Sequence, residues 1–95
     1  MHSDADPTQG QVDYIGKSEA ESAGLIKIED GKAIMRVDTS DIGDGENRKS
    51  VRLHSATSYE TDSLIVTDIS HMPVGCAVWP AWWSNGPNWP DGGEM

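Results

Sequence analysis

Trp79-Pro80-Ala81-Trp82-Trp83-Ser84-Asn85-Gly86-Pro87-Asn88-Trp89-Pro90-Asp91-Gly92-Gly93-Glu94-Met95 carries more information than any other run of the sequence. It holds all four tryptophans of the chain, interleaved with Pro80, Pro87 and Pro90. Tryptophan offers a broad apolar face and one N–H donor, so such a cluster suits either a core or a platform on which sugar rings stack. A carboxylate, Glu94, follows a Gly-Gly turn beside that platform, which points to carbohydrate chemistry. No cap or turn follows Glu94, so its strand is expected to continue past Met95.

Upstream of this stretch the pattern is that of short strands. Leu25–Ile28 and Ala33–Asp38 alternate with a period of two around Glu29-Asp30-Gly31-Lys32, whose Asp-Gly pair carries hairpin-turn chemistry, so the two runs are expected to pair antiparallel. Val51-Arg52-Leu53-His54 alternates cleanly and reads as a half-buried strand. Leu64-Ile65-Val66-Thr67-Asp68-Ile69 is more apolar and reads as a strand covered on both sides, ended by His71-Met72-Pro73 because proline cannot donate to a ladder. Ser18-Glu19-Ala20-Glu21 reads as a capping box opening a short helical turn near residues 18–23, which Gly24 ends. Asp6-Pro7 and Gly10 mark turns near the start. Asp38–Lys49 is acidic, with Ile42 its one large apolar side chain; it reads as an exposed loop and does not match the frame of a calcium-binding EF-hand.

Composition narrows the classes of partner. With a formal charge of −9, the 95-residue chain would repel phosphates, which argues against nucleic acid and anionic membrane and leaves neutral polysaccharide compatible. No apolar run approaches the roughly 18–20 residues of a spanning helix. Hydrophobic residues make up 36% of the chain, below the usual globular share of about 45–50%, so any core is thin. Met1-His2-Ser3-Asp4 carries no signal-peptide pattern. Cys76, the one cysteine, has no internal partner and reads as a small buried hydrophobe, or as half of a disulfide with a cysteine beyond Met95. His2 and His54 lack spaced ligand partners and His71 lacks a nucleophile motif, so neither a zinc site nor a cofactor is expected.

Five blocks in order carry a resemblance: Arg48-Lys49-Ser50-Val51-Arg52-Leu53, then Tyr59, His71-Met72-Pro73, Trp79-Pro80-Ala81-Trp82-Trp83, and Asn88-Trp89-Pro90-Asp91-Gly92-Gly93-Glu94. Together with Asp6-Pro7-Thr8 and Gly10-Gln11-Val12-Asp13-Tyr14, they are similar to glycoside hydrolase family 16, in its fungal endo-1,3(4)-β-glucanase (laminarinase) branch. The resemblance implies an all-β fold, here an incomplete concanavalin-like β-jelly-roll sandwich of antiparallel strands, with residues 1–95 forming the N-terminal part of one catalytic domain. It implies endo-hydrolysis of β-1,3/1,4-glucans with retention of configuration, and a secreted parent protein.

By that resemblance Glu94 is the nucleophile, Trp83 and Trp89 stack on glucosyl faces, and Arg52 hydrogen-bonds sugar hydroxyls. Asp13 takes the place of an asparagine that reaches a distal sugar, and an acceptor-only carboxylate there cannot donate as an amide does. Trp79 and Trp82 are assigned to structure, Trp82 to the core. A retaining glycosidase needs two carboxyls about 5–5.5 Å apart. The family's acid/base Glu has no counterpart in residues 1–95, so the chain alone is expected not to turn over β-glucan. Two rivals remain: a non-catalytic β-glucan-binding fragment or pseudoenzyme, and a non-functional gene fragment. On residue type alone a Trp-rich segment is more often core, and Arg52 more often a solvated strand residue.

Overall fold

The computed structural model describes residues 10–95; the expected turn at Asp6-Pro7, the Asp6-Pro7-Thr8 block and His2 lie outside the described residues. Four short strands and one short helix make up the regular structure: β1 (Val12–Tyr14), α1 (Lys17–Ser22), β2 (Ile26–Glu29), β3 (Lys32–Met35) and β4 (Arg48–Ser50). It is mostly strand with little helix.

The hairpin forms where its turn chemistry places it. β2 and β3 pair antiparallel with Glu29 opposite Lys32 and Ile26 opposite Met35. The two connecting residues, Asp30 and Gly31, both take positive φ, 50° and 72°. That is the demand of a type I′ turn, and Asp-Gly meets it at low steric cost. Pairing continues one step beyond the strands, with the Arg36 N–H donating to the Leu25 carbonyl at 2.8 Å.

Helix α1 starts earlier than the capping box implies. Gly16 is the N-cap, without a side-chain cap, and its carbonyl accepts the first helical bond from the Ala20 N–H at 3.0 Å. Ser18 is therefore inside the helix, where its carbonyl accepts the Ser22 hydroxyl at 2.9 Å. Starting at Lys17 turns Ala20 toward Ile15 and Leu25, and this burial decides the start over the cap. The C-terminus ends at Gly24 as expected. Gly24 has φ +70°, its N–H donates to the Glu21 carbonyl at 3.1 Å, and the Leu25 N–H donates to the Ala20 carbonyl at 2.9 Å. This is the paired bonding of a Schellman cap, with its hydrophobic contact supplied by Ala20 and Leu25.

Those residues are also the core: Ile15, Ala20 and Leu25 are buried, with Ile26 and Val51 packed against them. β1 and β4 flank it in a parallel pair, Val12 opposite Arg48 and Tyr14 opposite Ser50. This corrects the expectation of uniformly antiparallel strands. A parallel pair needs a crossover of roughly a dozen residues or more, and α1 with the hairpin supplies it here. Lys49 on β4 donates to Glu19 of α1 at 2.5 Å, which ties helix to strand, and that bond and the Glu19 charge hold the ammonium above the usual lysine value.

Three further expectations are corrected. Asp38 is buried rather than part of an exposed loop: its Oδ1 accepts the Ser40 N–H at 3.0 Å and its Oδ2 the Ser40 hydroxyl at 2.9 Å. Arg48 Nη1 clamps the same bend, donating to the Asp38 and Ser40 carbonyls at 2.7 and 2.9 Å. Residues 51–83 join no strand, and Leu64 (88% exposed) and Val66 (79%) are open to solvent, not covered on both sides. Apolar alternation states a preference for a sheet, but burial needs a facing surface, and none stands there among the described residues. Cys76 is exposed and free, not buried.

The Ser40 backbone N–H, then the Ser40 hydroxyl and the Arg48 charge, hold the Asp38 carboxyl below the ordinary aspartate value. The stabilisation is therefore complete above the unfolded value of about 3.9 and is lost as pH falls through the lower folded one. Protection of the Ser40 amide, measured against the free-chain rate at each pH, should be high near neutral pH and fall in acid, and Asp38→Asn should flatten that profile. Leu25→Ala should cost about 2 kcal/mol by leaving a cavity in a small core, read as lost protection of the Ala23 and Arg36 amides.

Candidate active site

The core hands the chain directly to the site. Val51 packs on the core, and the next residue, Arg52, is half-buried among the tryptophans. Its guanidinium carbon lies 5.0 Å from the Trp83 ring centroid and 5.3 Å from that of Trp89. The two indoles meet edge to face, centroids 5.7 Å apart and planes at 65°. Both distances fall within the range of cation–π attraction. Arg52 Nε and Nη1 are buried and carry no hydrogen bond. Arg52 is thus neither a fully solvated strand residue nor, through these two nitrogens, a donor to a neighbouring oxygen.

Glu94 joins the same cluster. Trp89 Nε1 donates to Glu94 Oε2 at 2.6 Å. A hairpin-like loop brings the two together: Ser84 and Met95 exchange backbone hydrogen bonds at 2.9 Å each, the Gly86 N–H donates to the Gly93 carbonyl at 3.0 Å, and Asn85 bridges antiparallel to Glu94. The Trp89–Pro90 bond is cis. Backbone strands pass so closely here that only glycine fits. A Cβ on Gly92 would lie 1.8 Å from the Pro87 carbonyl oxygen, and one on Gly86 would lie 2.4 Å from the Gly92 oxygen. A shallow depression of about 390 Å³ lies against Ser84, Gly86, Gly92 and Glu94.

Four of the five residues singled out from the sequence are therefore brought together: Arg52, Trp83, Trp89 and Glu94. Asp13 is not among them. It is exposed on β1 opposite Lys49, whose ammonium its charge favours, and it takes no part in the contacts that join the other four. Trp79 and Trp82 are also placed otherwise than expected: they are 92% and 65% exposed, so neither is core. Sequence reasoning takes Gly92-Gly93 as a turn but misses Asn85 and Gly86 as residues that close the loop. The signal was Gly86, on the other side of Pro87-Asn88-Trp89-Pro90 from Gly92. Among the described residues no group of three or more His, Cys, Asp or Glu side chains is gathered to hold a metal ion. Nor, among them, is any helix long and apolar enough to cross a membrane.

Comparison with known proteins gives the family. A family model described as an XgeA-like catalytic GH16 domain matches residues 1–95. The chain is 47% identical over 95 residues to an endo-1,3(4)-β-glucanase of Emericella nidulans, an alignment that covers 96% of this chain and 15% of the relative. It is 49% identical over 94 residues to a probable endo-1,3(4)-β-glucanase of Aspergillus clavatus, covering 95% and 15%. An endo-1,3(4)-β-glucanase of Arthroderma benhamiae is 42% identical over 91 residues, covering 95% and 20%. The chain thus spans between a seventh and a fifth of the length of these relatives. No solved structure matches it. The chain belongs to glycoside hydrolase family 16, among the XgeA-like catalytic domains.

Gly92→Ala should open the loop, with loss of the Ser84 and Met95 amide protection, while the Leu25 and Ala23 amides of the core keep theirs. Amide exchange resolved by residue checks this.

Proposed function

We propose that this chain contributes the nucleophile side of a β-glucanase cleft, in the jelly-roll setting that the family resemblance implies. The substrate is β-1,3- or mixed β-1,3/1,4-glucan, the class named for the relatives, and hydrolysis proceeds with retention. A polymer of this kind is met outside the cell, which fits a secreted parent protein. Glu94 is the attacking carboxylate. Trp83, 37% exposed, presents its open surface to a glucosyl ring. Trp89 and Arg52 complete the wall of the cleft, and Asp13 stands outside it.

The observation that carries this reading is a chain of contacts joining residues up to 42 positions apart in sequence: Arg52 lies against Trp83 and Trp89, and Trp89 hydrogen-bonds the Glu94 carboxylate. A neutral polysaccharide also suits a chain of charge −9, since it meets no electrostatic barrier. A second reading, glucan binding without cleavage, needs only the aromatic wall of Trp83 and Trp89 with Arg52 against it, whereas retention needs a second carboxyl about 5–5.5 Å from the first.

Laminari-oligosaccharides should quench the tryptophan fluorescence of the chain, and Trp83→Ala should weaken that binding on the order of tenfold. Reducing-sugar release from laminarin should not exceed that of a Glu94→Gln control. No quenching at millimolar sugar would remove both readings.

A further inference from the structure

The geometry points to a role for Trp89 and Arg52 that sugar stacking does not supply. We propose that Trp89 is a positioning residue for Glu94, with its indole N–H holding Oε2 and so presenting Oε1 to the substrate, and that Arg52 is the brace that sets the tilt of that indole. This rests on the reading of Glu94 as the reacting carboxylate.

An indole nitrogen is a donor only. Spent on Glu94 Oε2 at 2.6 Å, the Trp89 N–H has nothing left for a sugar oxygen. A bond to an ionised acceptor is shorter and stronger than a neutral one, and it fixes direction as well as distance. Among the described residues no hydrogen bond reaches Oε1. Among the described residues the two oxygens of the carboxylate are therefore unequal before any substrate arrives: Oε2 is tethered and Oε1 is not.

The tether works only if the indole cannot swing. Arg52 prevents that. Its guanidinium carbon lies within 5.3 Å of both ring centroids, and the buried Nε and Nη1 have no hydrogen-bond partner to pull the group elsewhere. The two ring quadrupoles attract that cation. Arg52 is itself fixed because Val51 is packed on the Ile15–Ala20–Leu25 core. A continuous path then runs from core to Val51, to the Arg52 guanidinium, to the Trp89 indole, to one oxygen of Glu94.

The test needs no sugar, so it stands or falls separately from glucan binding. Indole N–H exchange is followed by NMR together with the Glu94 side-chain carboxyl carbon, in the full chain. The Trp89 indole proton should exchange roughly tenfold or more slowly than those of the exposed Trp79 and Trp82, the effect of one hydrogen bond to a charged acceptor. Glu94→Ala should remove that protection and leave the Trp79 and Trp82 signals in place. Trp89→Phe, which keeps a ring but no donor, should move the Glu94 carboxyl resonance, while Trp79→Phe should not. Arg52→Gln should release the Trp89 proton although Glu94 is intact, and Arg52→Lys, which keeps a cation over the rings, should restore part of the protection. The slow amides of Ser84 and Met95 report whether the loop remains folded. If Trp89→Phe loses them, the Glu94→Ala arm decides. Equal exchange at Trp89 and Trp79, or an unmoved Trp89 signal in Glu94→Ala, would overturn the positioning role. Full protection in Arg52→Gln would overturn the brace.

Discussion

A guanidinium laid against two indoles is the contact on which this site depends. Arg52 reaches Trp83 and Trp89 at once, and the two rings meet edge to face beside it. Trp83 and Trp89 lie outside any ladder, in a region where backbone pairing is confined to the loop that closes between Ser84 and Met95. Side-chain attraction, not sheet hydrogen bonding, gives the cluster its shape. Cation–π contacts gain strength where water is excluded, and the burial of Arg52 Nε and Nη1 meets that condition.

The folded part that supports this contact is small. Three buried residues, a six-residue helix closed by a Schellman cap, a two-residue hairpin turn and a three-residue parallel pair make up its frame. Its contribution to the site is positional. β4 ends with Ser50, Val51 packs on the core, and Arg52, the next residue, lies against the tryptophans. Between Leu53 and Trp82 the chain exposes Leu64, Val66, Val74 and Trp79.

What the sequence made legible was local. Asp30-Gly31 announced the hairpin because type I′ geometry leaves few residue choices, and Gly24 announced the helix end because a left-handed position favours glycine. What stayed hidden was non-local. The parallel pairing of β1 with β4 joins segments more than thirty residues apart, and no periodicity encodes it. The burial of Asp38 depends on Arg48 reaching back across the bend, and the exposure of Trp79 and Trp82 depends on the absence of a facing surface. The cluster of Arg52, Trp83, Trp89 and Glu94 was named from ordered family blocks. Periodicity alone would have left Arg52 as a solvated strand residue. Neither route foresaw that Trp89 spends its donor on Glu94.

Whether Arg52 sits on both indoles, and reaches the carboxylate through Trp89, is read from nuclear Overhauser contacts of the Arg52 side-chain protons. Contacts are expected to ring protons of both Trp83 and Trp89, with the Arg52 δ-methylene protons shifted upfield by the ring currents. Arg52 protons at ordinary solvent-exposed positions, with no contact to either indole, would contradict it.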